Sequence, residues 1–401
     1  MTQSQTASAI NALTGQFALA AGGSPSIRGR RGVLGTGVLD RLLRGQRCDA
    51  AQRTLGQLFS LCGHAHERCC ALAFAAARPG APGQQPVPSA ASHRLETARD
   101  HLRCMALDWP QQLAALANPA QALDWLGTCP VALCARSDGS HGAATEQLAQ
   151  LRQWLEEQVL RQPVASWLKH FSDPQHWTPA QLSHGLSVAD HGLPYPLQLL
   201  INTRQVAGAL RPVTRLLPFL HPDAPQQSRR ISAVAHTLAN EDNFMLRPHW
   251  LGQCAETGPW ARARHFMAEV PDDFSAWHRL RAHWFDLLEI ADAPALEQAQ
   301  SVDRVLCSGA VGLGEGRAIA WCEMARGLLL HWVQLDHRGA VAGYRLVAPT
   351  EWNFHPQGAL AQALGALQPH DLGSARLLAA AFDPCVQCSI ESGGEQDGSN
   401  A

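Results

Sequence analysis

Two cysteines near the end of the chain, in Asp383-Pro384-Cys385-Val386-Gln387-Cys388, offer the clearest chemistry. A two-residue spacing lets one turn bring both sulfurs to the same side, where they can hold one metal ion. A zinc site of the common kind would need a second such pair. The chain offers none: Cys69 and Cys70 are adjacent, and Cys129 and Cys134 lie five apart. A thioredoxin-type redox pair would need a strand before it and a helix after it, whereas only a soft tail follows here. A second concentration of ligands runs through Leu61-Cys62-Gly63-His64-Ala65-His66-Glu67-Arg68-Cys69-Cys70. Read alone, it is equally a helix carrying incidental cysteines and histidines.

The elements that must position these groups follow from periodicity. Apolar residues recur at helical spacing over 46–78, 91–108, 143–171 and 274–290, and helix returns over 358–382. A Pro/Gly-rich break covers 79–90, and 172–227 is interrupted by proline. Residues 303–349 carry short apolar runs separated by Gly-containing turns, which predicts an antiparallel sheet of three or four strands. Gly312-Leu313-Gly314-Glu315-Gly316 is a hairpin turn in this reading, since it lacks the helix a phosphate cradle needs. The expected fold is mainly α with a small antiparallel β-sheet. It comprises a weakly patterned segment 1–45, one domain over 46–391 and a polar, disordered tail over 392–401.

Composition bounds the function. The 401 residues carry 32 basic and 34 acidic side chains, a formal charge of −2, which argues against an electrostatic nucleic-acid binder. Lysine occurs once, at Lys169, so arginine as a group follows composition more than function. No run of about 18 apolar residues is available to span a membrane. The N-terminus lacks the basic start of a secretory signal, so a cytoplasmic protein with reduced thiols is expected.

Taken together, the two cysteine regions resemble the large subunit of nickel–iron hydrogenases. That family carries RxCGxC near its start and DPCxxCxxH at its end, and the four thiols hold nickel and iron. Cys62-Gly63 stands in the first motif and Asp383 to Cys388 in the second. Further segments match in the family's order: Leu107-Asp108-Trp109, Glu256-Thr257-Gly258-Pro259-Trp260-Ala261-Arg262, Glu323-Met324-Ala325-Arg326-Gly327 with His331-Trp332, and Pro349-Thr350-Glu351-Trp352-Asn353. The departures are specific. Ala65 replaces a bridging cysteine, Ser60 replaces the leading arginine, Ala325 a proline, and Glu391 stands where the family's C-terminal histidine would be. The proton-handling glutamate of the N-terminal strand is not recognisable.

The resemblance implies three remaining thiols, Cys62, Cys385 and Cys388, as metal ligands, and no nickel. It implies Arg326 and Thr350 as donors to the cyanides of an Fe(CN)2(CO) unit, with Asp383 orienting Arg326. This profile resembles accessory proteins of the HupK/HoxV type, non-enzymatic large-subunit homologues that serve hydrogenase maturation. Such a protein would be a scaffold or transient carrier of the Fe(CN)2(CO) unit. It would work with the maturation complex and its small chaperone, and pass the unit to a hydrogenase large-subunit precursor. The alternatives are a metal-free assembly chaperone, a divergent catalytic subunit and an ordinary zinc protein.

Among the other groups, Cys69 takes the place of a family histidine and is a fallback iron ligand. His331 is assigned a structural hydrogen bond, and His184 and His191 solvent-facing positions. Cys48, Cys104, Cys129, Cys134, Cys254, Cys307 and Cys322 are read as small apolar core residues.

Overall fold

The computed structural model describes residues 15–30, 37–59, 61–80, 86–133, 140–185, 193–212, 216–217, 225–263, 274–296 and 305–393. Its strands are β1 (Gln16–Ala21), β2 (Ile27–Arg30), β3 (Ser308–Gly314), β4 (Arg317–Met324), β5 (Gly327–Leu335), β6 (Val341–Val347) and β7 (Gln387–Ser392). Four helices matter most for the site: α1 (Gly63–Ala77), α2 (Ala90–Arg103), α3 (Ala276–Asp292) and α4 (Leu372–Phe382).

β3 to β6 form an antiparallel meander in chain order, joined by the turns at 314–317, 324–327 and 335–341. Both faces of the sheet are covered, so β4 and β5 read as continuous apolar runs without clean alternation. On one face α1 places Ala65, Cys69 and Ala73 against Ala318, Cys322 and Val333. On the other, Trp321, Leu330 and Trp332 meet Ile231, Leu238 and Trp250. The remaining helices build a larger core of their own, into which α2, α3 and α4 all contribute.

The segment expected to be weakly patterned contains structure. β1 buries Phe17, Leu19 and Ala21, pairs antiparallel with β2, and pairs parallel with β7. In that register Phe17 stands opposite Cys388 and Ala21 opposite Ser392. Phe17 also stacks on Phe354, with centroids 5.4 Å apart. The N-terminal strand is thus part of the main core, and the ordered chain runs past residue 391. Ser392 is the last residue of β7, and residues 394–401 of the expected tail lie outside the described residues. Six residues of strand carry a period-2 signal too short to stand out.

Two predicted helices are broken. Residues 46–78 form Cys48–Leu58 and α1, and the intervening turn puts Cys62 at the N-cap of α1. Residues 143–171 divide because Arg161 adopts a left-handed conformation, φ 56°, just before Pro163. Pro163 cannot continue the hydrogen-bond ladder. The helix expected over 358–382 is likewise two, Ala359–Gly365 and α4.

Candidate metal centre

The β4–β5 turn, the end of α4 and the start of α1 converge. Gly327 makes the turn possible. Its φ is 118°, and a Cβ there would lie 2.5 Å from Thr257 Oγ1 and 2.6 Å from the Gly258 nitrogen. Arg326, one residue earlier, is buried and forms ion pairs with Asp100 of α2 and Asp383; its Nε lies 3.2 Å from Asp383 Oδ2. Asp100 also pairs with Arg103 at 3.2 Å, and Arg103 with Asp108 at 2.9 Å. Three carboxylates therefore share two guanidiniums in one group, in which Asp100, Arg326 and Asp383 are buried and Arg103 and Asp108 partly exposed.

Asp383 ends α4 in a strained left-handed conformation, φ 41° and ψ 74°, which re-aims the chain toward the cysteines. Burial opposes its charge, but Arg326, His283, Arg103 and the Cys104 thiol together outweigh it and hold its carboxyl below the usual range. Two residues on, the Cys385 sulfur lies 2.9 Å from Thr350 Oγ1. Cys62 lies in the same electrostatic neighbourhood. Its thiol is pushed well above its ordinary value by burial, then by Glu96 and by Cys385. Cys388, half-buried on β7, is pushed up to about 12 by burial and by Cys385. Cys62 and Cys388 thus favour the protonated state until a cation replaces the proton. The structure brings together Cys62, Cys385, Thr350, Arg326 and Asp383, with Cys388 following in the strand.

Around this group the matched motifs interlock. Thr257 Oγ1 accepts from the Leu328 nitrogen at 2.8 Å, and Asn353 Oδ1 from the Thr257 nitrogen at 3.0 Å. Arg262 bridges Asp286 and Glu323, and Arg279 holds Glu256 through two bonds of 2.6 and 2.7 Å. These bonds tie the segment at 256–262 to the β4–β5 turn, to α3 and to the Pro349–Asn353 helix, which carries Thr350.

Several assignments change. Cys69 packs against Cys322 under the sheet, with its carbon neighbours in the α1–sheet core, and is not aimed at the cysteine group. Seven positions from Cys62 are nearly two full turns, which return the side chain to roughly the same face but carry it about 10 Å along the axis. Cys104 is not simply apolar filling: its thiol donates to Asp383 Oδ1 at 3.4 Å. The Cys48 and Cys70 thiols are hydrogen-bonded to each other, and the Cys254 sulfur lies 3.2 Å from His355 Nδ1. Cys134 and His191 lie outside the described residues, as does the His184 side chain. His331 does make structural hydrogen bonds, to Tyr344 Oη at 2.6 Å and His66 Nδ1 at 3.1 Å.

Two residues near the centre were not singled out from sequence. Glu96, on α2, accepts from the backbone nitrogens of His64 and Ala65 at 2.8 and 3.0 Å. Burial pushes its carboxyl up to about 8 despite those bonds. His283, on α3, reaches the Asp383 end of the group, and burial pushes it down to about 4. A Glu four residues before an Asp on one helix face was the available signal for Glu96; nothing local signals His283. Glu391, where the resemblance placed a lost histidine, forms an exposed ion pair with Arg28 across β1–β2 and β7 at 2.5 Å.

The mainly helical fold with its small sheets, and a cysteine group under a buried arginine, define a nickel–iron hydrogenase large-subunit-like protein. The family model for nickel-dependent hydrogenases matches residues 281–391. Over 95% of its length the chain is 36% identical to the hydrogenase expression/formation protein HoxV of Cupriavidus necator, covering 96% of that protein. It is 28% identical to HupK of Bradyrhizobium diazoefficiens, with 88% of this chain and 89% of that one covered. Among solved structures, a reduced, active nickel–iron–selenium hydrogenase of Desulfomicrobium baculatum aligns with 90% of this chain and 93% of its own, at 14% identity and a TM-score of 0.48. The chain belongs to the HupK/HoxV family of hydrogenase expression/formation proteins.

Proposed function

We propose that this hydrogenase maturation protein is a transient carrier of the Fe(CN)2(CO) unit, without catalytic turnover of its own. The single observation that carries the reading is the Cys385 thiol, 2.9 Å from Thr350 Oγ1 and in the field of both Cys62 and Arg326. The iron would take thiolate ligands from among Cys62, Cys385 and Cys388. Its cyanides are anionic acceptors and need donors in a site shut off from water. Arg326, held charged by Asp100 and Asp383, and the Thr350 hydroxyl are the donors at hand.

Ala65 offers no lone pair, so a second metal lacks one bridge, and this argues against nickel and hydrogen turnover. The Ala65 nitrogen is instead bonded to Glu96, beside Cys62. Each thiol must lose a proton to bind iron and regain it on release. Glu96 is a carboxyl able to take part in that exchange near neutral pH. β7 is seated on β1 through Ser392, so the Cys385–Cys388 segment is placed with its downstream residues still attached. The unit would be received from the maturation complex and its small chaperone and passed to a large-subunit precursor.

Infrared spectroscopy with metal analysis tests this on protein purified anaerobically from cells with working maturation machinery. CO and CN stretching bands with iron and without nickel are expected, and Cys388→Ser should lose or shift them. An absence of both bands and iron from such a preparation would overturn the carrier and leave a metal-free assembly factor.

A further inference from the structure

Cys104, His283 and Asp383 are all buried, and each offers one ligand atom such that all three lie within 4.8 Å of one another. They come from the helical segment Cys104–Asp108, from α3 and from the end of α4, more than 175 positions apart in two of the three pairings. Cys104 opens a π-helical turn, whose extra residue per turn re-aims the side chains that follow α2; such turns gather at functional sites. We propose that these three residues form a second metal site, for a single divalent d-block cation of the zinc or ferrous type, next to the three-cysteine group and independent of the iron-unit reading.

The chemistry of the donors fits. Thiolate, imidazole and carboxylate are the mixed ligand set that zinc takes, and three protein ligands leave a fourth position for water. A cavity of about 20 Å³, room for roughly one water, is lined by His283 and Asp383. His283 is also supported in the way metal-bound histidines are. Asp286 receives a bond of 2.6 Å from His101 Nε2, and His101 Nδ1 faces His283 Nδ1 at 3.3 Å. With Asp286 ionised and gripped by Arg262, His101 donates from Nε2 and accepts at Nδ1. His283 then donates from Nδ1, which leaves Nε2 with the lone pair for a metal. A carboxylate–histidine–histidine chain of this kind orients the ring and raises its basicity.

Charge agrees as well. Around Asp383 the carboxylates of Asp100, Asp108 and Asp383 face the guanidiniums of Arg103 and Arg326, an excess of one negative charge. A dication that displaces the Cys104 proton brings this group to neutrality: two positive charges enter and one leaves with the proton. Asp383 can serve both centres, since Oδ2 faces Arg326 and Oδ1 faces Cys104.

Cobalt(II) is the probe, titrated anaerobically into the full chain carrying Cys62→Ser, Cys385→Ser and Cys388→Ser. One equivalent should bind, release one proton and give a thiolate-to-cobalt charge-transfer band with intense tetrahedral d–d bands. Adding Cys104→Ser should remove the charge-transfer band, and His283→Gln should abolish stoichiometric binding. His101→Gln, which touches no metal, should weaken affinity about 10- to 100-fold. Circular dichroism of each variant confirms folding. No stoichiometric cobalt in the folded triple variant would overturn the site, as would a charge-transfer band that survives Cys104→Ser. Loss of CO and CN bands in the three-cysteine variant bears only on the iron-unit reading, so the two fail separately.

Discussion

Arg326 and Asp383 concentrate the cost and the use of this centre in two side chains. Arg326 is 2% exposed, and its charge is sustained chiefly by Asp100 and Asp383. Arg326→Leu would leave both carboxylates buried and short of a partner, which should cost about 3–5 kcal/mol in a urea melt. Asp383→Asn keeps a residue that tolerates φ 41° and should cost less, while weakening the grip on Arg326. Titration gives a second test. Glu96 and Glu289 are pushed up to about 8 and about 7, so the folded state keeps protons there that the unfolded state has lost above about 4.5. Stability from these groups therefore falls as pH rises from about 4.5 to 8. His278 and His283, pushed down to about 4, act oppositely, but only between about 4 and 6.5. Thermal melts should show stability declining from pH 6.5 to 8, and Glu96→Gln should flatten that decline.

At the scale of elements, two devices hold the cysteines in place. The β4–β5 turn depends on Gly327, where a methyl group would meet Thr257 and Gly258. Gly327→Ala should destabilise by about 1–3 kcal/mol through backbone strain alone and shift Arg326 out of register. Its check is a melt together with the CO and CN bands of loaded protein. The β1–β7 pairing is the other device. Phe17→Ala removes a buried ring opposite Cys388 and should cost about 3–5 kcal/mol. Arg28→Ala breaks only the exposed pair with Glu391 on the same ribbon, with an effect below about 1 kcal/mol. If the two variants proved equal, β1 would owe its place to charge rather than packing.

The whole molecule presents its cysteine group where separate cores meet. Cys62 packs at the edge of the α1–sheet core, whereas Cys388 lies against the helical core. On the carrier proposal, ligands drawn from two cores would suit a cargo that must leave, since fewer contacts tie them together than ligands of one core. Loaded protein mixed anaerobically with a large-subunit precursor should lose its CO and CN bands as the precursor gains them. Bands that stay on this chain would make it an end point rather than a carrier. Among the described residues no helix is long and apolar enough to cross a membrane.

What the amino-acid sequence determined by itself is whatever rests on local period and spacing. The four strands of 303–349 and their turns, the helical character around them and the Asp383-to-Cys388 motif all belong to neighbours in the chain. Arg326 and Thr350 could be placed in the site only because their short motifs match a known family. The tertiary structure alone decided which faces meet. Ion pairs between Arg326 and Asp100 join residues 226 positions apart, and the register of Phe17 with Cys388 spans nearly the whole chain. No local signal separates Cys104, which faces Asp383, from Cys69, which faces the sheet, because both are cysteines in helical sequence. His283 is one histidine of 19 until α3 lies beside α2. A helix's periodicity says that one side is buried, but the neighbouring elements set what is buried against it, and here that choice makes the chemistry.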